Sequence, residues 1–169
     1  MEESSSDQHI SGLAVLDYIG FKLTSATPEG VHGTFVVSRN SCQPFGVLHG
    51  GVSAFIAEAV ASMGAQIASK WERVAGIELN INHLRAVPLG HRVTVDALPL
   101  LVGRRIQVWE VKLWAPPASS SSSPSDSSSD PSSTNSSVIA VSRVTLVVGL
   151  PNASKGAHFK DVVAARAKL

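Results

Sequence analysis

Hydrophobic positions change period along the chain, and each change predicts an element. In residues 9–19 the apolar positions Ile10, Leu13, Leu16 and Tyr18 have the spacing of a short amphipathic helix. Residues 21–26 and 31–38 are strand-like and flank Thr27-Pro28-Glu29-Gly30, where proline presets an early turn position and glycine tolerates positive φ; together they predict a hairpin. A loop over 39–48, with Pro44 and Gly46, follows. From 50 to 69 small residues dominate and apolar side chains fall on every side, which predicts a helix about 30 Å long and surrounded by protein. Period two then returns. Ile77, Leu79, Ile81 and His83 alternate with Glu78, Asn80, Asn82 and Leu84, and Val93, Val95 and Ala97 alternate with Arg92, Thr94 and Asp96. Strands over 106–114 and 138–148 complete the set, and in the first the alternation slips near Trp109-Glu110, as at a bulge.

This order predicts an α+β domain in which an antiparallel sheet covers one side of a long central helix. A single sheet covers only one side of such a helix. The second cover expected is another copy of the chain, so at least a homodimer is predicted.

Composition limits the domain. Of 169 residues, the 19 positions 119–137 include 13 Ser, with only Pro, Asp, Thr and Asn besides, and predict a disordered insert within the last hairpin. Without it and the polar residues 1–8, also expected to be disordered, 142 residues remain, enough for one domain, which is placed over 9–150 with 151–169 as a tail. An eightfold barrel, at roughly 250 residues, is excluded. Charged residues make up 16%, below the roughly 25% of an average soluble domain, which fits burial between subunits.

Charge and cysteine content narrow the partners. A net charge of +1 without a Lys/Arg stripe gives no footprint for nucleic acid. The apolar stretch 50–69 carries Glu58 and Gln66, and reads as a buried helix rather than a membrane span. Cys42, the one cysteine, has no internal partner. The first residues lack the basic start and apolar run of a secretory signal.

The candidate chemistry centres on Glu58, the only charged side chain in twenty positions of an otherwise dry helix. Either it pairs structurally, or it is a carboxylate at a cleft, acting as nucleophile or as base for a water. His49-Gly50-Gly51 opens the same helix, where backbone N–H groups lack intrahelical partners and glycine lets a substrate oxygen approach them. Gly50 and Glu58 are about 12 Å apart along the helix axis, too far to act on one carbon. Antiparallel copies of the helix across a twofold axis bring Gly50 of one subunit near Glu58 of the other. Ser62, four residues after Glu58, shares its face and can hold the carboxylate or a water, and Gln43 in the preceding loop can meet a carbonyl or water. The six histidines show no ligand spacing, and no metal is expected; His83, on an apolar strand face, reads as a core residue. No Gly-x-Ser-x-Gly elbow or P-loop is present. Arg104 and Arg105 after Gly103, and Arg143 after Ser142, are placed either to meet phosphates or to sit as solvated strand-edge charges.

Gln43-Pro-Phe-Gly-Val-Leu-His49-Gly50-Gly51-Val52-Ser53-Ala54, with Ala57-Glu58-Ala59 and Ala61-Ser62, resembles the signature of hotdog-fold acyl-CoA thioesterases of the 4-hydroxybenzoyl-CoA thioesterase-like branch, which uses a helix glutamate on aromatic acyl-CoA substrates. The likeness continues through residues 82–90, 103–109 and 142–145. It implies a hotdog fold in which Glu58 is nucleophile or general base, the Gly50 amide polarises the thioester carbonyl, Gln43 and Ser62 position carbonyl or water, and His49 supports the loop. It also places Arg104, Arg105, Ser142 and Arg143 as candidates for holding coenzyme A, which is part of the substrate, so that no separate cofactor is expected. Homodimers assembling to homotetramers are the implied state. Ser62 stands where relatives have Thr, and the Ser-rich insert occupies a hairpin usually kept short. The tail, 151–169, ends in Ala167-Lys168-Leu169, one residue from the peroxisomal Ser-Lys-Leu address, and predicts peroxisomal location with the import receptor as partner.

Overall fold

The computed structural model describes residues 13–117, 136–151 and 159–167. Of the segments expected to be disordered, 1–8 and 119–137, residues 1–8 and 119–135 lie outside the described residues; Ser137, expected to close the insert, is instead the first residue of a strand. In chain order the elements are α1 (Ala14–Tyr18), β1 (Lys22–Thr27), β2 (Gly30–Val36), a 3₁₀ turn (Arg39–Ser41), α2 (Gly50–Ala68), β3 (Val74–His83), β4 (Arg92–Val102), β5 (Ile106–Ala115), β6 (Ser137–Val148) and α3 (Phe159–Arg166).

The six strands form one antiparallel sheet in the order β1-β2-β4-β5-β6-β3. The chain therefore crosses the sheet twice. After α2 it enters the far edge as β3, then returns to the middle as β4. Helix α2 packs against all six strands, so this stretch, long and apolar enough to cross a membrane, is the core helix of the fold.

Burial of α2 is not uniform. Ser53, Ile56, Ala57, Val60, Ala61, Met63, Gly64 and Ile67 are buried at the three- and four-residue spacing of one helical face. The other face carries Phe55, Glu58, Ala59, Ser62 and Gln66, all half-buried. The expectation of a helix apolar on every side is thus refined to a dry face on the sheet and a second face containing Glu58.

Small residues on α2 let bulky ones on the sheet fill the gap. Trp109 of β5 is fully buried, and a Cβ on Gly64 would lie 2.4 Å from its indole. Beside it Gln107 is also buried: its amide donates to the Ala65 carbonyl at 3.2 Å, and its oxygen accepts from Trp109 Nε1 at 2.9 Å. The slip expected at Trp109-Glu110 does not occur. A buried glutamine sits at an inward position, so Gln107, Trp109, Val111, Leu113 and Ala115 alternate without interruption, and the register breaks opposite Pro99–Leu101 and at Leu113–Trp114 instead.

Residues 151–169, read as a tail, contain α3. Its Val163 is buried, Arg166 pairs with Asp17 of α1, and Lys160 lies 5.9 Å over the Trp71 ring. Replacing Gly64 by alanine should overpack the Trp109 contact and cost about 1–3 kcal/mol, measured by urea unfolding; an unchanged midpoint would mean that α2 has room to move off the sheet.

Candidate functional site

Helix α2 starts at a capped turn. His49 is extended, and its Nδ1 accepts a hydrogen bond from the Gly51 amide at 2.9 Å. Gly50 is then the first helical residue, a position whose N–H has no partner inside the helix. A Cβ there would lie 3.1 Å from His83 Cε1 at the end of β3. Gln43, Gly50, Ser53, His83, Arg85 and Val87 line one cavity of about 340 Å³. Its wall is tied by Arg85, whose Nη2 donates to the carbonyls of Ala115 and Pro116. His83 is therefore not a core residue: it is exposed and faces this cavity.

Glu58 lies two turns further along α2, outside the residues that line the cavity. Ser62 Oγ donates to Glu58 Oε1 at 2.7 Å, and a Cβ on Gly76 of β3 would lie 2.9 Å from the same oxygen. The carboxylate is thus held from its own helix by a hydroxyl and rests on bare backbone of the edge strand. A side chain at 76 would press on that oxygen and shift the carboxylate from this seat.

A bulge brings these contacts onto one face. The β3–β6 register shifts between Gly76 and Glu78, so the inward parity changes there. Val74 and Gly76 face α2 before the shift, and Leu79, Ile81 and His83 do so after it. Ile77, expected inward, is expelled and 58% exposed. As the spacing requires, one chain brings Gln43, Gly50 and His49 together at one place and Glu58 with Ser62 at another.

The predicted CoA contacts also separate. Arg104 and Arg105, with Glu72 and Arg73, border a second depression of about 620 Å³. Ser142 is buried and donates to the Asn80 carbonyl at 2.7 Å, whereas Arg143 next to it is exposed on the other face of the sheet. Neighbouring strand residues point oppositely, so these two do not hold one phosphate together. Among the described residues, no group of three or more His, Cys, Asp or Glu is placed to hold a metal ion.

Three residues of these sites were not singled out as functional from the sequence. Gly76 had a signal, since glycine inside a strand pattern marks a close approach. His83 was seen but read as core, because period two does not say whether a strand's last residue is covered. Arg73 carried no signal.

The arrangement supplies a positioned carboxylate and, separately, a helix start with a free amide beside a cavity. That pair suits attack on a carbonyl whose oxygen gains charge. Residues 45–119 match the family model described as thioesterase superfamily. The chain is 46% identical over 146 residues to 1,4-dihydroxy-2-naphthoyl-CoA thioesterase 2 of Arabidopsis thaliana, covering 86% of this chain and 84% of that one. It is 32% identical to the 1,4-dihydroxy-2-naphthoyl-CoA hydrolase of Escherichia coli over 101 residues, 59% of this chain and 74% of the relative. Among solved structures, a Haemophilus influenzae thioesterase superposes with a TM-score of 0.65 at 30% identity, covering 83% of this chain and 86% of that one.

Proposed function

The chain belongs to the thioesterase superfamily, and from that premise we propose that it hydrolyses 1,4-dihydroxy-2-naphthoyl-CoA to 1,4-dihydroxy-2-naphthoate and CoA. The enzyme class is an acyl-CoA thioester hydrolase, and two relatives, from a plant and a bacterium, carry the name of this substrate. The observation that carries the reading is the Glu58 carboxylate, held by Ser62 and seated on Gly76. Glu58 acts on the thioester carbonyl either directly, forming an anhydride that water opens, or by taking a proton from an attacking water. Either way the carbonyl oxygen gains charge, which the Gly50 amide stabilises, with Gln43 beside it. The CoA thiol leaves as product, and no cofactor enters the reaction.

In this reading each active site draws on two chains. The free edge of β3 pairs antiparallel with β3 of a second copy, which continues the sheet across a twofold axis. A register centred on Asn80, with Ile77 bulged out of the pairing, sets Gly76 opposite His83 of the partner subunit. Glu58 on the first chain then faces the cavity of the second, where Gly50 contacts His83. Two such dimers form the homotetramer.

The cellular setting proposed is the peroxisome and the route to phylloquinone. Supporting it are the Ala167-Lys168-Leu169 ending and the likeness to a plant thioesterase. Ala167 is the last described residue; Lys168 and Leu169 lie outside the described residues.

Removing the carboxylate tests the chemistry. Glu58→Ala should lower turnover of 1,4-dihydroxy-2-naphthoyl-CoA by at least about a hundredfold, followed by thiol release; full activity would overturn the site assignment. Coexpressing Glu58→Ala with Gly50→Val, each inactive alone, should give heterodimers with roughly half the wild-type activity, since one of two equivalent sites is intact. No recovery would mean that the two groups act within one chain. Deleting residues 167–169 should leave a fluorescent fusion in the cytosol, and unchanged peroxisomal fluorescence would refute the reading of the tail.

A further inference from the structure

We infer that α3 is a latch on the tail: seated on the folded domain it withholds Ala167 from the import receptor, which takes the tail only once α3 has left its seat. This rests on the peroxisomal reading proposed above. A receptor that recognises three consecutive residues by their side chains needs all three clear of other contacts. Ala167 is not clear. It is 9% exposed and belongs to the same apolar core as Leu16 of α1 and Phe21 before β1. Its amide donates to the Val163 carbonyl at 3.0 Å, which carries the helical hydrogen bonding one residue past α3. Val163 and Ala167 are four residues apart and so share a face, and Val163 is fully buried. Ala164, Ala165 and Arg166 between them are exposed. The residue that opens the address is therefore the last inward position of a docked helix.

The seat is built by the domain at both ends of α3. At its start Lys160 lies 5.9 Å over the Trp71 ring. Trp71 is held in the turn after α2 in a left-handed conformation, at φ 70°, which is costly for so large a residue, and its amide donates to the Gln66 carbonyl at 2.7 Å. At the other end the Arg166 guanidinium donates to the Asp17 carboxylate of α1, one residue before Ala167. Between these two anchors α3 packs against β1.

The hold is modest, so the latch can open. A helix of eight residues is not stable by itself in water, and α3 keeps its shape only while seated. Its buried side chains include one valine and one alanine, and the Arg166–Asp17 pair is open to solvent, where an ion pair adds little. A released tail loses the helix and can extend into a binding groove. The receptor thus competes with the domain for one segment, and its apparent affinity is the intrinsic one scaled by the fraction released.

The latch is tested by comparing how the receptor's tail-binding domain binds the full chain and a free peptide of residues 159–169. The full chain should bind about tenfold more weakly than the peptide. Asp17→Ala should tighten the full chain about twofold. Val163→Asp sets a charge at the buried position and should bring the full chain to the affinity of the peptide. Thioester turnover, unchanged in both variants, reports that the domain is folded. In the complex with the wild-type chain, the amides of α3 should lose their protection from hydrogen exchange. Equal affinity of full chain and peptide, no response to either substitution, or α3 amides still protected in the complex would overturn the inference. A peptide that does not bind at all would refute the peroxisomal reading of the tail itself, and the latch with it.

Discussion

The structure depends on how closely α2 lies on the sheet, and a glycine marks the close approach at three places. Gly64 admits the Trp109 indole, Gly76 admits the Glu58 carboxylate, and Gly50 admits the His83 ring. In each pair the large group belongs to one layer and the missing side chain to the other. Close approach lets a helix of mostly small residues bury a continuous core, since interiors tolerate no void at the contact. It also puts the edge strand β3 within reach of two candidate functional groups on α2. A Leu or Val at 76 would have made an ordinary strand and left the carboxylate no seat.

Legibility followed the same division. Periodicity placed α2 and the six strands, because a dry face imposes a period wherever it exists. Local exceptions to the period were hidden. Gln107 occupies an inward position as a polar residue satisfied by the Ala65 carbonyl and Trp109, so a continuous alternation looked broken. The bulge at Ile77 works in reverse: the pattern Ile77, Leu79, Ile81, His83 looked continuous, while the backbone changes parity before Leu79. Both exceptions depend on contacts distant in sequence. The pairing of β3 with β6 rather than β4 is of the same kind, as is the docking of α3 near α1 and β1. In the candidate site, Glu58 and Ser62 were visible through their four-residue spacing on one helix. Gly76 and Arg73 meet their partners only through the fold.

The two edges of the sheet explain why a second copy is needed to complete the proposed site. Edge strands offer unpaired backbone groups, and soluble proteins shield them with short length, lysine, bulges or a covering element. The β1 edge has all four: six residues, Lys22, a register shift between Leu23 and Ser25, and α3 packed against it. The β3 edge runs for ten residues without lysine or proline. Its one acidic residue, Glu78, accepts hydrogen bonds from Asn80 and Thr145, so its charge is held within the chain instead of guarding the edge. Ile77 is pushed outward on this same strand. A chain that shields one edge with all four devices, and the other with the bulge at Ile77 alone, leaves the β3 edge open to pairing. The open edge is also the strand that carries Gly76 under Glu58 at one end and His83 against Gly50 at the other. Antiparallel pairing across a twofold axis exchanges the ends of a strand. In the proposed dimer, the contact that removes the exposed edge therefore also joins the carboxylate of one chain to the amide of the next, and that reading makes shielding and catalysis consequences of one interface.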